Sequence, residues 1–226
     1  MAEAMKIIRS TGLNLSRGQT EKSRGRPRSA LKNQSILDAA SDLFMENGFD
    51  GTSMDEVAKR AGVSKQTVYS HFSNKEKLFS ASITSVINQY FPDSVFEVSD
   101  GHEVESDLNH LCEIFLHLFV SEDAICMFRL LAAAASLDGE NKLATLFWEA
   151  GPEVMLQKLA GFMSHWGSKG QLSIKDPVVA AKTLISLIKG HYHFQLAIGL
   201  ISDVTEDEIK EHAKLCTELF LKIYKA

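Results

Sequence analysis

Twenty residues, Ser53 to Phe72, constrain this chain more than any other stretch. Ser53-Met54-Asp55-Glu56 has the form of a capping box, in which the serine oxygen accepts from the third helical amide and the glutamate reaches back to the cap amide. The helix it opens places Val57, Ala58 and Ala61 on an inner face and is stopped by Gly62 after about eight residues. Val63 plugs the turn, and Ser64 caps a following helix that runs through His71. Ala58 is small where the two helices must cross, Gly62 takes the positive φ of the turn, and Val68 is the one apolar residue aimed back from the second helix. Two helices this short, joined this tightly, form a helix-turn-helix. In that arrangement the first helix spans a nucleic-acid backbone and the second enters a major groove.

The side chains left facing outward suit that use. Lys65, Gln66, Thr67, Tyr69, Ser70 and His71 give the second helix donors and acceptors on every face except that of Val68 and Phe72. Gln66 has the paired donor and acceptor that match adenine, Thr67 offers a methyl to thymine, and Lys65 reaches guanine or phosphate. Tyr69, His71 and Lys75 are expected at phosphates, and Thr52 and Ser53 present hydroxyls and a helix N-terminus to the backbone.

Charge supports the same orientation. Residues 1–32 carry eight Lys or Arg against Glu3 and Glu21, whereas residues 78–226 carry eleven basic and twenty acidic side chains. A polyanion is drawn to one end of the molecule and repelled by the other. Residues 1–28 lack apolar periodicity and end in Ser23-Arg24-Gly25-Arg26-Pro27-Arg28, which reads as a flexible basic arm. Its Arg-Gly-Arg-Pro core resembles an AT-hook, so Arg24, Arg26 and Arg28 are expected to follow a narrow A·T-rich minor groove. The alternative is a disordered basic tail.

Helical spacing continues on both sides of the motif. Ile36, Leu37, Ala40, Leu43 and Phe44 define a first helix of about fifteen residues, closed by Gly48 with Phe49 folding back. Ser73 with Glu76 forms a further capping box, opening a helix that carries Leu78, Phe79, Ile83, Val86, Ile87 and Tyr90 and stops at Pro92. Beyond Pro92 the spacing predicts helices over 104–120, 122–137, 140–168 with a break near Gly151-Pro152, 177–200 and 205–225. No alternating strand pattern interrupts them, so the expected fold is all-α.

Residues 31–79 closely resemble the DNA-binding domain of the tetracycline-repressor (TetR) family. The matching segments include Ile36-Leu37-Asp38-Ala39-Ala40, Gly48-Phe49, Thr52-Ser53, Ala61-Gly62-Val63-Ser64 and Thr67-Val68-Tyr69 with His71-Phe72. The resemblance implies three parts: an arm at 1–28, a DNA-binding domain at 29–76, and a helical ligand-binding and dimerisation domain at 77–226. It also implies a homodimer, usually a repressor, released from its operator by a small molecule. A further resemblance over 128–200, through Phe128-Arg129-Leu130 and Leu146-Phe147-Trp148-Glu149-Ala150-Gly151-Pro152, points to AefR-like and AcrR-like members, often linked to efflux or quorum-related genes.

Within 77–226 the expected ligand contacts are Phe128, Trp148, Met155 and Phe194, with Arg129 and His193 as polar anchors for a hydrophobic or aromatic molecule. Helices 177–200 and 205–225, through Val179, Leu184, Leu187, Ile188, Leu215, Leu219 and Ile223, are expected to pair with a second copy, which implies a palindromic operator. His110, Glu113 and His117 share a helix face with metal-like spacing, but a solvated or hydrogen-bonded face accounts for them and neither metal nor cofactor is expected. Cys112, Cys126 and Cys216 are odd in number and lack a CxxC, which argues against a disulfide framework; an oxidant-sensing role for Cys112 or Cys126 lacks a basic neighbour in sequence. No nucleophile and base pair or phosphate loop favours an enzyme. The start of the sequence carries no secretory signal and no segment is long and apolar enough for a membrane span, so the expected location is the cytoplasm. An architectural DNA-binding protein without an inducer is the alternative reading.

Overall fold

The computed structural model describes residues 27–97, 101–137 and 142–226. Arg24 and Arg26 lie outside the described residues, as does the Arg28 side chain. Among the described residues the chain is all-α, with a single isolated antiparallel bridge between Leu172 and Lys225.

The first helix, α1 (Pro27–Gly51), begins well before Ile36 and bends at Gly48, whose φ is 74°. The early start is silent in the sequence because residues 30–35 bury no side chain, and Leu31 stands two-thirds exposed. From Ile36 onward the helix does what its spacing predicts: Ile36, Leu37, Ala40, Leu43 and Phe44 are all buried. Then come α2 (Met54–Arg60), with its Ser53–Glu56 capping box, and α3 (Lys65–His71), capped by Ser64 accepting from the Thr67 amide. Gly62 between them has φ 67°, a conformation that costs a residue with a Cβ about 1 kcal/mol or more. Val68 is fully buried under α2 beside Val57 and Ala58.

Helix α4 (Lys75–Tyr90) is capped by Asn74, whose side chain accepts from the Lys77 amide, and not by Ser73. Asparagine is as good a cap as serine, and its position one residue later leaves Glu76 free to accept from Lys142 at 2.8 Å. A 3-10 turn over Asp93–Val95 leads to α5 (Val104–Phe119), α6 (Glu122–Leu137), α7 (Lys142–Ala150) and α8 (Pro152–Ser168). The chain closes with α9 (Pro177–Lys189), α10 (Tyr192–Ala197) and α11 (Glu206–Tyr224). The predicted helix over 177–200 is thus two helices. At the joint, Gly190 has φ 45°, and a Cβ there would lie 2.8 Å from Nε2 of His212, so the break is filled by α11.

The core of the second half lies between α5, α8, α9 and α11, where Leu108, Phe115, Leu159, Trp166, Leu184 and Phe220 are buried. The halves are joined along α4, which packs against α1 through Phe44, Phe49 and Phe79, with ring centroids 5.2 to 5.8 Å apart, and against α7, where the Thr84 hydroxyl donates to the Ala150 carbonyl at 3.0 Å. No helix among the described residues is long and apolar enough to cross a membrane.

Candidate nucleic-acid interface and cavity

Because Val68 anchors α3 from one side, the other three faces of this helix stand in solvent. Lys65, Gln66, Tyr69, Ser70 and His71 are exposed, and Tyr69 keeps 53% of its surface. Lys65 is held by Asp55 at 2.5 Å, the Thr67 hydroxyl lies 2.9 Å from that of Ser64, and the Ser70 hydroxyl donates back to the Thr67 carbonyl. A bidentate pair between Arg60 and Glu46, at 2.6 and 2.8 Å, ties α2 to α1; this hydrogen bonding holds the Glu46 carboxyl below its usual pKa.

Two residues expected at phosphates have other work. Thr52 is buried, and its hydroxyl donates between the carbonyls of Gly48 at 2.8 Å and Leu43 at 3.0 Å, satisfying the end of α1 at its bend. The Lys75 ammonium donates to the carbonyls of Phe49 and Asp50 and sits 4.5 Å from the Phe49 ring centroid, so it clamps the same helix end. Ser53 is exposed, but its hydroxyl is engaged inside the capping box. Sequence spacing placed Thr52 and Lys75 near a phosphate backbone; only the tertiary fold shows which carbonyls they serve.

Behind the motif lies a cavity of about 470 Å³, within the range that encloses small-molecule ligands. One face of α4, from Phe79 through Ile83, Val86 and Ile87 to Tyr90, runs along it. Ser41, Phe44 and Met45 of α1 complete this wall, so the cavity touches the DNA-reading unit itself. Opposite stand Phe128 and Leu131 of α6, Phe147 and Trp148 of α7, and Met155 of α8. Its polar groups are few. Burial, with Asp123 reinforcing it and a hydrogen bond from Ser121 opposing it, pushes the Tyr90 phenol up to about 12. Lys182, Ser186, Lys189 and His193 line the α9 side.

Of the six expected ligand contacts, Phe128, Trp148, Met155 and His193 line the cavity; Arg129 and Phe194 do not. Arg129 donates to the carbonyls of Leu196 and Ala197 at 2.6 and 2.8 Å, satisfying the C-terminal end of α10. Phe194 follows His193, which faces inward, so the helical rotation of about 100° turns Phe194 out to 64% exposure. Among the contacts that sequence reasoning missed, Ser41 and Met45 of α1 and Lys189 of α9 carried no local signal, since they reach one cavity from helices far apart in sequence.

On the outer side, Val179 of α9 and Leu215, Leu219 and Ile223 of α11 are exposed. Leu184 and Ile188, expected with them, are fully buried in the chain's own core, and Leu187 packs partly against it. His110, Glu113 and His117 do not converge: His110 is exposed, Glu113 accepts from Asn109 at 2.7 Å, and His117 lies 3.7 Å from Glu206. Cys112 and Cys216 are buried, and burial pushes their thiols up to about 12 and about 11, so neither is a reactive thiolate.

Comparison with known proteins agrees with this anatomy. Residues 36–82 match the bacterial regulatory proteins of the tetR family, and residues 106–226 match the C-terminal domain of AefR-like transcriptional repressors. The HTH-type transcriptional regulator YdeS of Bacillus subtilis is 30% identical over 189 residues, covering 83% of this chain and 86% of its own. A TetR-family regulator from Mesorhizobium loti superposes with a TM-score of 0.74 at 31% identity, over 89% of this chain and all of the other. The flavonoid-responsive regulator FrrA gives 0.68 at 32% identity, over 87% and 98%. A polar reading helix anchored by Val68, together with these matches over both halves, places the chain in the TetR family, as a DNA-binding transcription regulator with an AefR-like C-terminal domain.

Proposed function

We propose that this regulator is a cytoplasmic, homodimeric repressor that binds a palindromic operator and is released when a small hydrophobic or aromatic molecule enters the cavity. The observation that carries the reading is the composition of the cavity wall: Ser41, Phe44 and Met45 of α1 and the inward face of α4 belong to it. A ligand there presses on the helices that aim α3. DNA favours one spacing of the two reading heads and the ligand another, so each opposes the other by the same free energy. The likeness to FrrA, described as flavonoid-responsive, supports an aromatic ligand.

The exposed apolar positions Val179, Leu215, Leu219 and Ile223 are the proposed dimer face, which aligns two α3 helices on successive major grooves. Gln66, Thr67 and Lys65 are the proposed base contacts; Tyr69, Ser70 and His71 the proposed phosphate contacts, with Arg24, Arg26 and Arg28 in the adjacent minor groove. The AefR-like half supports efflux or quorum-related genes as targets.

The experiment is selection of genomic fragments by the purified protein at physiological salt, followed by sequencing. A small set of palindromic sites is expected. Broad retention of A·T-rich DNA without a palindrome would overturn the repressor reading and favour an architectural protein.

A further inference from the structure

The charged groups of the cavity are sorted by sign. Lys189 and His193 meet at Phe119: the ammonium sits 5.1 Å from the ring centroid, and His193 Nδ1 lies 2.9 Å from the Phe119 carbonyl oxygen. Lys189 borders the cavity with its side chain still exposed and has no ion pair with a carboxylate among the described residues, so no acidic group offsets its charge there. A carbonyl oxygen only accepts, so His193 Nδ1 carries the hydrogen and Nε2 of the neutral ring is left as an acceptor. Lysine and histidine therefore supply a charged donor and a neutral acceptor side by side.

The rest of the lining fits the same assignment. Lys182 and Ser186 precede Lys189 on α9 and border the same side of the cavity. The one carboxylate of the lining, Asp123, acts on Tyr90, whose phenol it helps to keep protonated, and does not figure among the influences on Lys189 or His193. Burial lowers the pKa of both basic groups, and the charge of Lys189 adds to the effect on His193. An anion would relieve that cost. A ring has its place beside them, since Phe128 lies 5.2 Å from the His193 ring, edge to face.

We propose that the cavity takes an aromatic molecule as its anion, with a phenolate or carboxylate oxygen between Lys189 Nζ and His193 Nε2. The proposal rests on the reading of this cavity as the effector site. A carboxylate arrives charged, and His193 Nε2 takes up one proton from solvent so that the imidazolium donates to it. A phenol gives its proton to His193 Nε2: the O–H bond breaks, the N–H bond forms, and the phenolate remains between imidazolium and ammonium with no change in net charge.

The test compares 7-hydroxyflavone with 7-methoxyflavone on the full-length protein, by calorimetry and by absorption spectroscopy at a pH where the free hydroxyflavone is mostly neutral. The expected result is roughly tenfold or more tighter binding of the hydroxy compound, since a site built for a hydroxyl rejects the analogue without one, together with the red-shifted band of the bound phenolate. Lys189→Met is expected to bring the affinity ratio to within about twofold and to remove the band, and Lys189→Arg to restore both. Should Lys189→Met fail to fold, the wild-type comparison decides alone. Equal binding of the two flavones without a phenolate band overturns the anion assignment and leaves an aromatic effector in place. Binding of neither overturns both.

Discussion

The DNA-reading unit and the cavity unit are both made of amphipathic helices, yet they end differently. Around α2 and α3 the inward positions Val57, Ala58 and Val68 are buried, while Lys65, Gln66, Tyr69, Ser70 and His71 stand exposed. Along α4 the apolar face is just as regular from Phe79 to Tyr90, but its partners stand back and enclose about 470 Å³. Periodicity tells which way a side chain points. It does not tell whether anything is waiting there.

The comparison breaks first at the residue that serves both units. Phe44 is 1% exposed, packs edge-on to Phe79 at 5.2 Å and lines the cavity. Phe44→Ala is expected to cost about 3 to 5 kcal/mol, read by chemical denaturation, and to weaken operator binding through the loosened α1–α4 contact. A loss below about 1 kcal/mol would mean that the cavity side is already slack.

Next, the reading unit separates residues that face DNA from residues that only hold its shape. Gln66→Ala and Tyr69→Ala are expected to lower operator affinity by roughly tenfold to a hundredfold while moving stability by no more than about 0.5 kcal/mol, because both side chains are exposed. Thr52→Val is expected to do the reverse. It leaves the Gly48 and Leu43 carbonyls short of a donor and costs about 1 to 3 kcal/mol of stability, with binding by the folded fraction intact. Equal binding by wild type and both Gln66→Ala and Tyr69→Ala would mean that α3 is not the reading helix.

Smaller effects distinguish the cavity. Burial lowers the His193 pKa below its ordinary 6.5, so the folded protein binds fewer protons than the unfolded chain between the two values. Stability is therefore expected to fall as pH drops through 6.5 toward the folded value, and His193→Gln to flatten that slope in urea unfolding series. Least of all, Cys112 and Cys216 are expected to resist iodoacetamide at pH 8 in the native state, leaving the half-buried Cys126 as the site of modification mapped by mass spectrometry.

Where one short stretch of sequence sets the geometry, the fold was readable from it. Ser53 with Glu56, Thr205 with Glu208 and Asp176 ahead of Pro177 mark helix starts because each cap is satisfied within three residues. The start of α1 was not readable, since residues 30–35 bury no side chain, and neither was the break at Gly190, since His212 fills it from across the fold. The same division runs through the site. The outward face of α3 follows from Val68 alone, whereas Thr52, Lys75 and Arg129 each look available for a ligand until the fold supplies the carbonyls they satisfy. Ser41, Met45 and Lys189 reach one cavity from α1 and α9, a meeting no local pattern encodes.

The central claim is that cavity and operator oppose each other through α1 and α4. The most direct measurement takes a palindromic fragment retained in the genomic selection and determines its affinity for the protein at rising 7-hydroxyflavone, then the flavone affinity with and without that fragment. The account predicts that each weakens the other by one common factor, between about fivefold and 150-fold. A flavone that binds in the cavity and leaves operator affinity unchanged would contradict it.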